Sequence, residues 1–414
     1  MNKKKVDLVL SNCSKLLTCR DGSGDIVGVI ENGWVAIDDE EIAFIGQKEE
    51  VLEKIEYDES NVIDCSGKVV LPGFVDAHTH LVFGGSRSKE YAAGMTKGGK
   101  EKFIKAGNKT GINATIDMTR DVDEEILYHA ALTRLHQMMN TGTTTVESKS
   151  GYGLTVDSEI KLLEINKKLN RDLPVDIVST FLGAHGWPDN MEKDEYIEVL
   201  INEMIPAVAK RNLAEFCDIW CDDGHYTAEE SRLVLKCAEK LGMRPKIHTD
   251  AYSYIGGSDL GIDMNMVSVD HLNYTPKSVM KKLAESKIPG VLLPATDFAV
   301  KHPVPFDAEA MVEAGMTLAL GTNCCPGAWN TSMQLVIMLT CREHGVDVET
   351  AIKAATLGGA KALNLDSDRG SIEEGKLADI QIWNTGDYED VIYKLGINQV
   401  EKVIKRGRII VNNA

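Results

Sequence analysis

The chain has 414 residues, 43% of them hydrophobic, enough for a sizeable core and too many for one small domain. Its formal charge of -18 excludes nucleic acid as a partner, and any anionic substrate has to be held by local cations against the overall field. No apolar run is long enough to span a membrane, and the nine cysteines are scattered, odd in number and without zinc-ribbon spacing, so reduced thiols and a cytoplasmic setting are expected.

Residues 1–65 alternate in the manner of short strands: VDLVL, WVAIDD and IAFIG are separated by Asn, Asp and Gly turns. The last segment, 366–414, reads the same way in ADIQIW and VEKVIKRGRIIVNN. A lone hairpin is barely stable, so the two ends are expected to pair into one small β-sandwich domain, with residues 66–365 as a second unit. That middle unit alternates strand with helix. Apolar runs that stop at polar residues give eight strands: GFVDAHTH, TTTVESKSGYG, DIVSTFLGAH, EFCDIWCDDG, RPKIHTD, MVSVDHL, GVLLPATDF and TLALGTNCCPG. Amphipathic stretches such as DSEIKLLEINKKLN and AEESRLVLKCAEKLG lie between them. Eight β-then-α units close naturally as an α/β fold of the parallel (β/α)8 TIM-like barrel type. A doubly wound open sheet is the competitor, but no G-x-G-x-x-G follows the first strand to form a dinucleotide crevice.

Chemistry in such a barrel collects at the C-terminal strand ends. In strand order those ends carry His78 and His80, Lys149 and Tyr152, His185, Asp222 and Asp223, His248 and Asp250, His271, Asp297, and Asn323. Five of the ten histidines fall there. One alone reads as a satisfied core or loop histidine; five on one rim are hard to explain by packing. Residues i and i+2 of a strand share a face, so His78 and His80 can aim both rings into the barrel mouth. Imidazole suits zinc or iron, a catalytic metal wants about three protein ligands and an open position, and His248 is the obvious third.

These residues carry a resemblance. PGFVDAHTH, the order of the later polar residues and the terminal β segments resemble the amidohydrolase superfamily. HTHLVFGGSR, TGTTTVESKSGYGL, VSTFLGAH, KIHTD and DHL are similar to motifs of the imidazolonepropionase family, and they span residues 72–330. The resemblance implies a hydrolase that uses a metal-activated water to open a C–N bond in the ring of 4-imidazolone-5-propanoate, giving N-formimino-L-glutamate. It implies one zinc or iron per subunit and a homodimer acting on a small anionic heterocycle. It places His78, His80, His248 and Asn323 at metal-ligand positions. Arg87, Tyr152, His185, Ala251, Cys325, Gly327 and Ala328 fall at substrate-binding positions. Arg87 would clamp the propanoate with a two-pronged contact; its plain alternative is a surface arginine. Tyr152 would offer a hydroxyl or simply plug the rim. His271 would stabilise charge on a carbonyl oxygen or shuttle a proton. Lys149 lies on the second strand, away from the bridging lysine position of two-metal relatives, which favours a single metal.

Two positions depart from the family pattern. Asn323 stands where an aspartate normally binds the metal and takes a proton, and Ala251 stands where a glutamate normally meets substrate and water. The loss of either acid is worth roughly 10²–10⁴-fold in rate. Asp250 or His271 is then expected to serve as base. The alternatives are a relative that opens another ring, a ligand-binding homologue with weak turnover, and positions altered to trap a complex.

Overall fold

The first barrel strand, Phe74–Asp76, pairs in parallel with Thr143–Lys149, and the same pairing is repeated around the barrel in a computed structural model that describes residues 3–414. The succeeding strands are Asp176–Ala184, Phe216–Cys221, Ile247–Thr249, Val269–His271, Gly290–Leu292 and Leu318–Leu320, each hydrogen-bonded to its predecessor. The eight-stranded (β/α)8 barrel expected from the sequence is therefore present. Its strands are almost wholly buried, which is why they read as continuous apolar runs rather than alternating ones. Helices such as Val156–Asp172 and Ala228–Lys240 lay an apolar stripe on the outside of the sheet, and the latter begins with a capping box between Thr227 and Glu230.

The first and eighth strands do not form a regular ladder. The seam between them is closed by Ala77 N to Leu320 O (3.3 Å), Asn323 N to His78 O (2.9 Å) and His80 N to Cys324 O (3.0 Å). Asp76 clamps the same seam by accepting from Thr322 N (2.9 Å) and Thr322 Oγ1 (2.6 Å).

Both chain ends enter one sheet, in the order Arg408–Asn412, Val400–Lys405, Ile380–Trp383, Val69–Pro72, Leu8–Leu17, Val29–Asp38, Glu41–Gly46. The junction is the antiparallel pair of Ile380–Trp383 with Val69–Pro72, so the terminal sheet extends past residue 65 to Pro72. Apolar side chains pack on both its faces: Leu10, Val35, Val70 and Ile380 on one cluster, Val9, Trp34 and Ala36 on another. Among the described residues, no helix is long and apolar enough to cross a membrane.

Candidate active site

The first strand ends at Asp76, four residues earlier than the expected reach of GFVDAHTH. The chain nonetheless stays extended through His80, because Lys149 N donates to Thr79 O at 2.9 Å on one side and the seam bonds hold the other. His78 and His80 thus both reach the barrel mouth, with ring centroids 5.5 Å apart. His248 lies 4.5 Å from His78 and 5.6 Å from His80, and His271 lies 5.2 Å from His248. His185 stacks on His80 at 4.8 Å. The five histidines predicted to share a rim are one cluster. Two triads, His78/His248/His271 and His80/His185/His248, each hold their ligand atoms within 4.8 Å of one another.

The ring orientations come from carboxylates beneath the cluster. His78 Nδ1 pairs with Asp270 Oδ2 at 2.6 Å, and His248 Nδ1 with Asp218 Oδ2 at 2.9 Å. Their Nε2 atoms, with Asn323 Oδ1 and the Nδ1 atoms of His80 and His185, are buried without hydrogen-bond partners. Orphaned buried acceptors gathered in one cluster are a donor set that a cation satisfies. Lys149 sits below, wholly buried, its Nζ 2.9 Å from Glu147, 2.7 Å from Asp218 and 3.4 Å from Asp270. Lys246 reaches Glu147 at 2.9 Å. Burial pushes the His78, His80 and His271 rings well below the ordinary imidazole range, and pushes His185 down to about 3, so all four are neutral. Burial alone would raise Asp218, but His248 and Lys149 outweigh it and hold the carboxyl well below the usual range.

A cavity of about 440 Å³ opens in front of these rings. Arg87, Tyr152, His185, His271, Asn323, Cys325 and Gly327 line it. Arg87 is presented by Glu90, which accepts from Nε at 2.7 Å and Nη2 at 2.8 Å. The Tyr152 loop is cradled by Glu159, which accepts from the amides of Gly151, Gly153 and Leu154 at 2.7–2.9 Å. Gly151 has φ +111°, and a Cβ there would lie 2.9 Å from His185 Cβ, so a side chain would push His185 out of place.

Other predicted residues stand elsewhere. Asp250 does not line the cavity; its carboxylate accepts from Thr249 Oγ1 at 2.8 Å and Thr275 Oγ1 at 2.7 Å. Its φ of +55° accompanies a turn of the chain after the fifth strand. Ala251 and Ala328 are buried and do not line the cavity. Asp222 is occupied by Tyr252 N at 2.9 Å and by Ser253, and Asp223 is exposed. Asp297 accepts from Asn273 at 2.6 Å. Among the described residues, no carboxylate lines the cavity at all. Sequence reasoning missed Trp220 and His225, stacked at 3.5 Å on the cavity wall, and the Thr110–Asn113 stretch. It also missed the ionic layer of Glu147, Asp218, Lys246 and Asp270.

Comparison with known proteins agrees with this geometry. A model of the Amidohydrolase family matches residues 203–410, and another matches residues 61–110. An imidazolonepropionase of Geobacillus kaustophilus is 41% identical over 94% of this chain and 92% of its own. One from Clostridium tetani is 38% identical over 98% and 99%. The chain belongs to the imidazolonepropionase family. Outside that family the fold alone is shared: an adenosine deaminase from Xanthomonas campestris with bound zinc superposes with a TM-score of 0.72 at 18% identity, over 99% of this chain and 94% of its own. Atrazine chlorohydrolase from Arthrobacter aurescens, complexed with zinc, gives 0.68 at 15% identity over 98% and 95%. This imidazolonepropionase-family chain keeps the histidine cluster while carrying Asn323 and Ala251.

Proposed function

We propose that the chain hydrolyses a ring C–N bond of 4-imidazolone-5-propanoate to N-formimino-L-glutamate, with one zinc or iron ion per subunit held by His78, His80, His248 and Asn323. The observation that carries this is the group of orphaned nitrogens on His78, His80 and His248 with the Asn323 oxygen, beside a cavity that His80, His248, Asn323 and Arg87 line. A bound dication acidifies water from a pKa of ~16 towards ~7 and polarises a carbonyl. The remaining chemistry falls to the side chains. Arg87, fixed by Glu90, binds the propanoate and sets the ring's depth. Tyr152 and His185 bound the ring on one side, and the Cys325–Gly327 loop on the other. His271, neutral and lining the cavity, accepts the proton of the attacking water and returns it to the leaving ring nitrogen. Of the two expected bases, Asp250 has its carboxylate tied to two threonines and no carboxylate lines the wall, which favours His271. The product gains a carboxylate, and no acidic wall repels it. The setting we propose is a cytoplasmic homodimer.

Asn323 and Ala251 favour a second reading, in which the same machinery opens a different carboxylate-tailed heterocycle. Turnover of imidazolone propanoate, followed by loss of its ultraviolet absorbance and appearance of N-formimino-L-glutamate in zinc- and iron-loaded protein, decides between them. Metal-loaded protein that binds the substrate without opening it sinks the first reading.

A further inference from the structure

We propose that residues 86–111 form a cationic collar that concentrates small carboxylate anions at the cavity mouth. The segment carries Arg87, Lys89, Lys97, Lys100, Lys102, Lys105 and Lys109 against Glu90 and Glu101, a net +5 within a chain of net -18. Its ion pairs are Arg87 with Glu90 at 2.7 Å and Lys109 with Asp117 at 2.5 Å. Lys97, Lys100, Lys102 and Lys105 are exposed, and among the described residues none has a carboxylate oxygen within 4.0 Å. Uncompensated lysines grouped on one stretch project a field rather than stabilise the fold.

The stretch is placed at the cavity. Its two ends, Arg87 and Thr110–Gly111, line the main chamber. A side chamber of about 210 Å³ opens at Arg87, Val300 and Gly327, and Lys100 and Lys301 stand on its wall. Lys301 is turned there by the left-handed end of the helix Pro294–Val300, φ +54°. The one carboxylate of that chamber, Glu90, is spent on Arg87 and on Gly111 N at 3.2 Å. An anion approaching an otherwise acidic protein meets attraction along this path. The screening length is about 30 Å at 0.01 M salt and about 3 Å at 1 M, so the attraction is switched off by salt. The choice of probe rests on the ring-hydrolase reading; the collar itself does not.

The test compares the wild type with a collar variant, Lys97, Lys100, Lys102 and Lys105→Gln. A control variant changes Lys210, Lys240, Lys281 and Lys287→Gln, which are exposed on or just beyond barrel helices. Binding of imidazole-4-propanoate and of its neutral amide is followed by calorimetry. Iodide and acrylamide quenching of Trp329, which is 52% exposed and two residues beyond Gly327 of the side chamber, reports the potential there with no ligand bound, as the difference from Trp329→Phe. At an ionic strength of ~20 mM the collar variant binds the propanoate about tenfold more weakly and loses iodide quenching relative to acrylamide. At ~1 M the difference falls below about twofold. The amide and the control variant do not move. Iodide quenching unchanged in the collar variant, or lost equally in the control, overturns the collar. Loss of iodide quenching in a protein that binds neither probe supports the collar and removes the ring-hydrolase reading instead.

Discussion

Lys149→Met tests whether the ionic layer under the histidines is matched to a cation above it. Lys149 Nζ approaches three carboxylates at 2.7–3.4 Å, all without solvent exposure. At an effective dielectric of 20 each attraction is about 5–6 kcal/mol before desolvation. Breaking a buried ionic cluster by removing one partner leaves a net loss of about 3–5 kcal/mol. Unfolding entropy of about 2.1 cal/mol/K per residue converts that to a fall of about 3–6 °C in the melting temperature. Removing the lysine takes one formal positive charge out of the layer and leaves its carboxylates in excess. A dication at the histidines then offsets the excess, so zinc should return more than half of the lost stability. Scanning calorimetry of metal-free and zinc-saturated protein reads both quantities, and a cobalt-substituted spectrum reports whether ligand geometry is kept. If zinc-saturated Lys149→Met loses as much as the metal-free form, the layer and the histidine cluster are not coupled.

Three further outcomes follow from the structure. His271→Asn should lower kcat by roughly 10²–10⁴-fold while zinc content, measured by elemental analysis, stays at the wild-type level; an unchanged kcat would assign the proton elsewhere. Arg87→Met should raise KM for the propanoate substrate by about tenfold or more, the scale of a lost charge-assisted bond, and should leave the KM of the amide analogue unmoved. Burial raises Asp297 to about 6, with Asn273 opposing. A carboxyl raised in the folded state contributes stability that is full below about 4 and lost as pH rises through about 6, worth about 2–3 kcal/mol. Urea midpoints should therefore fall between those pH values in the wild type and stay flatter in Asp297→Asn.

The barrel was legible because buried parallel strands leave long apolar runs ending in polar residues, and because four such ends carried five histidines. The pairing of the chain ends was legible for a similar reason: neither segment has enough partners alone. The ionic layer escaped because its members lie before the polar strand ends where chemistry was sought. The signal was nonetheless there, in the period of two: Glu147 with Lys149, Asp218 with Trp220, Lys246 with His248, and Ser268 with Asp270 all share the inward face. Asp250 was misread because its partners, Thr249 and Thr275, come from its neighbour and from the next βα loop, and only the fold shows the carboxylate turning towards them. The Trp220–His225 stack depends on a loop closing back on its own strand, which no spacing rule reports.

The seam between the first and eighth strands has a dynamic consequence. His78 and His80 lie on one lip and Asn323 on the other, so a cation gripped by all three acts as a rivet through the one join in the cylinder that lacks a full ladder. Its departure should let that join breathe. The amide protons of His80 and Asn323 would then exchange with solvent sooner than those of any neighbouring stave, and the staves opposite, around Asp218, should barely register the change.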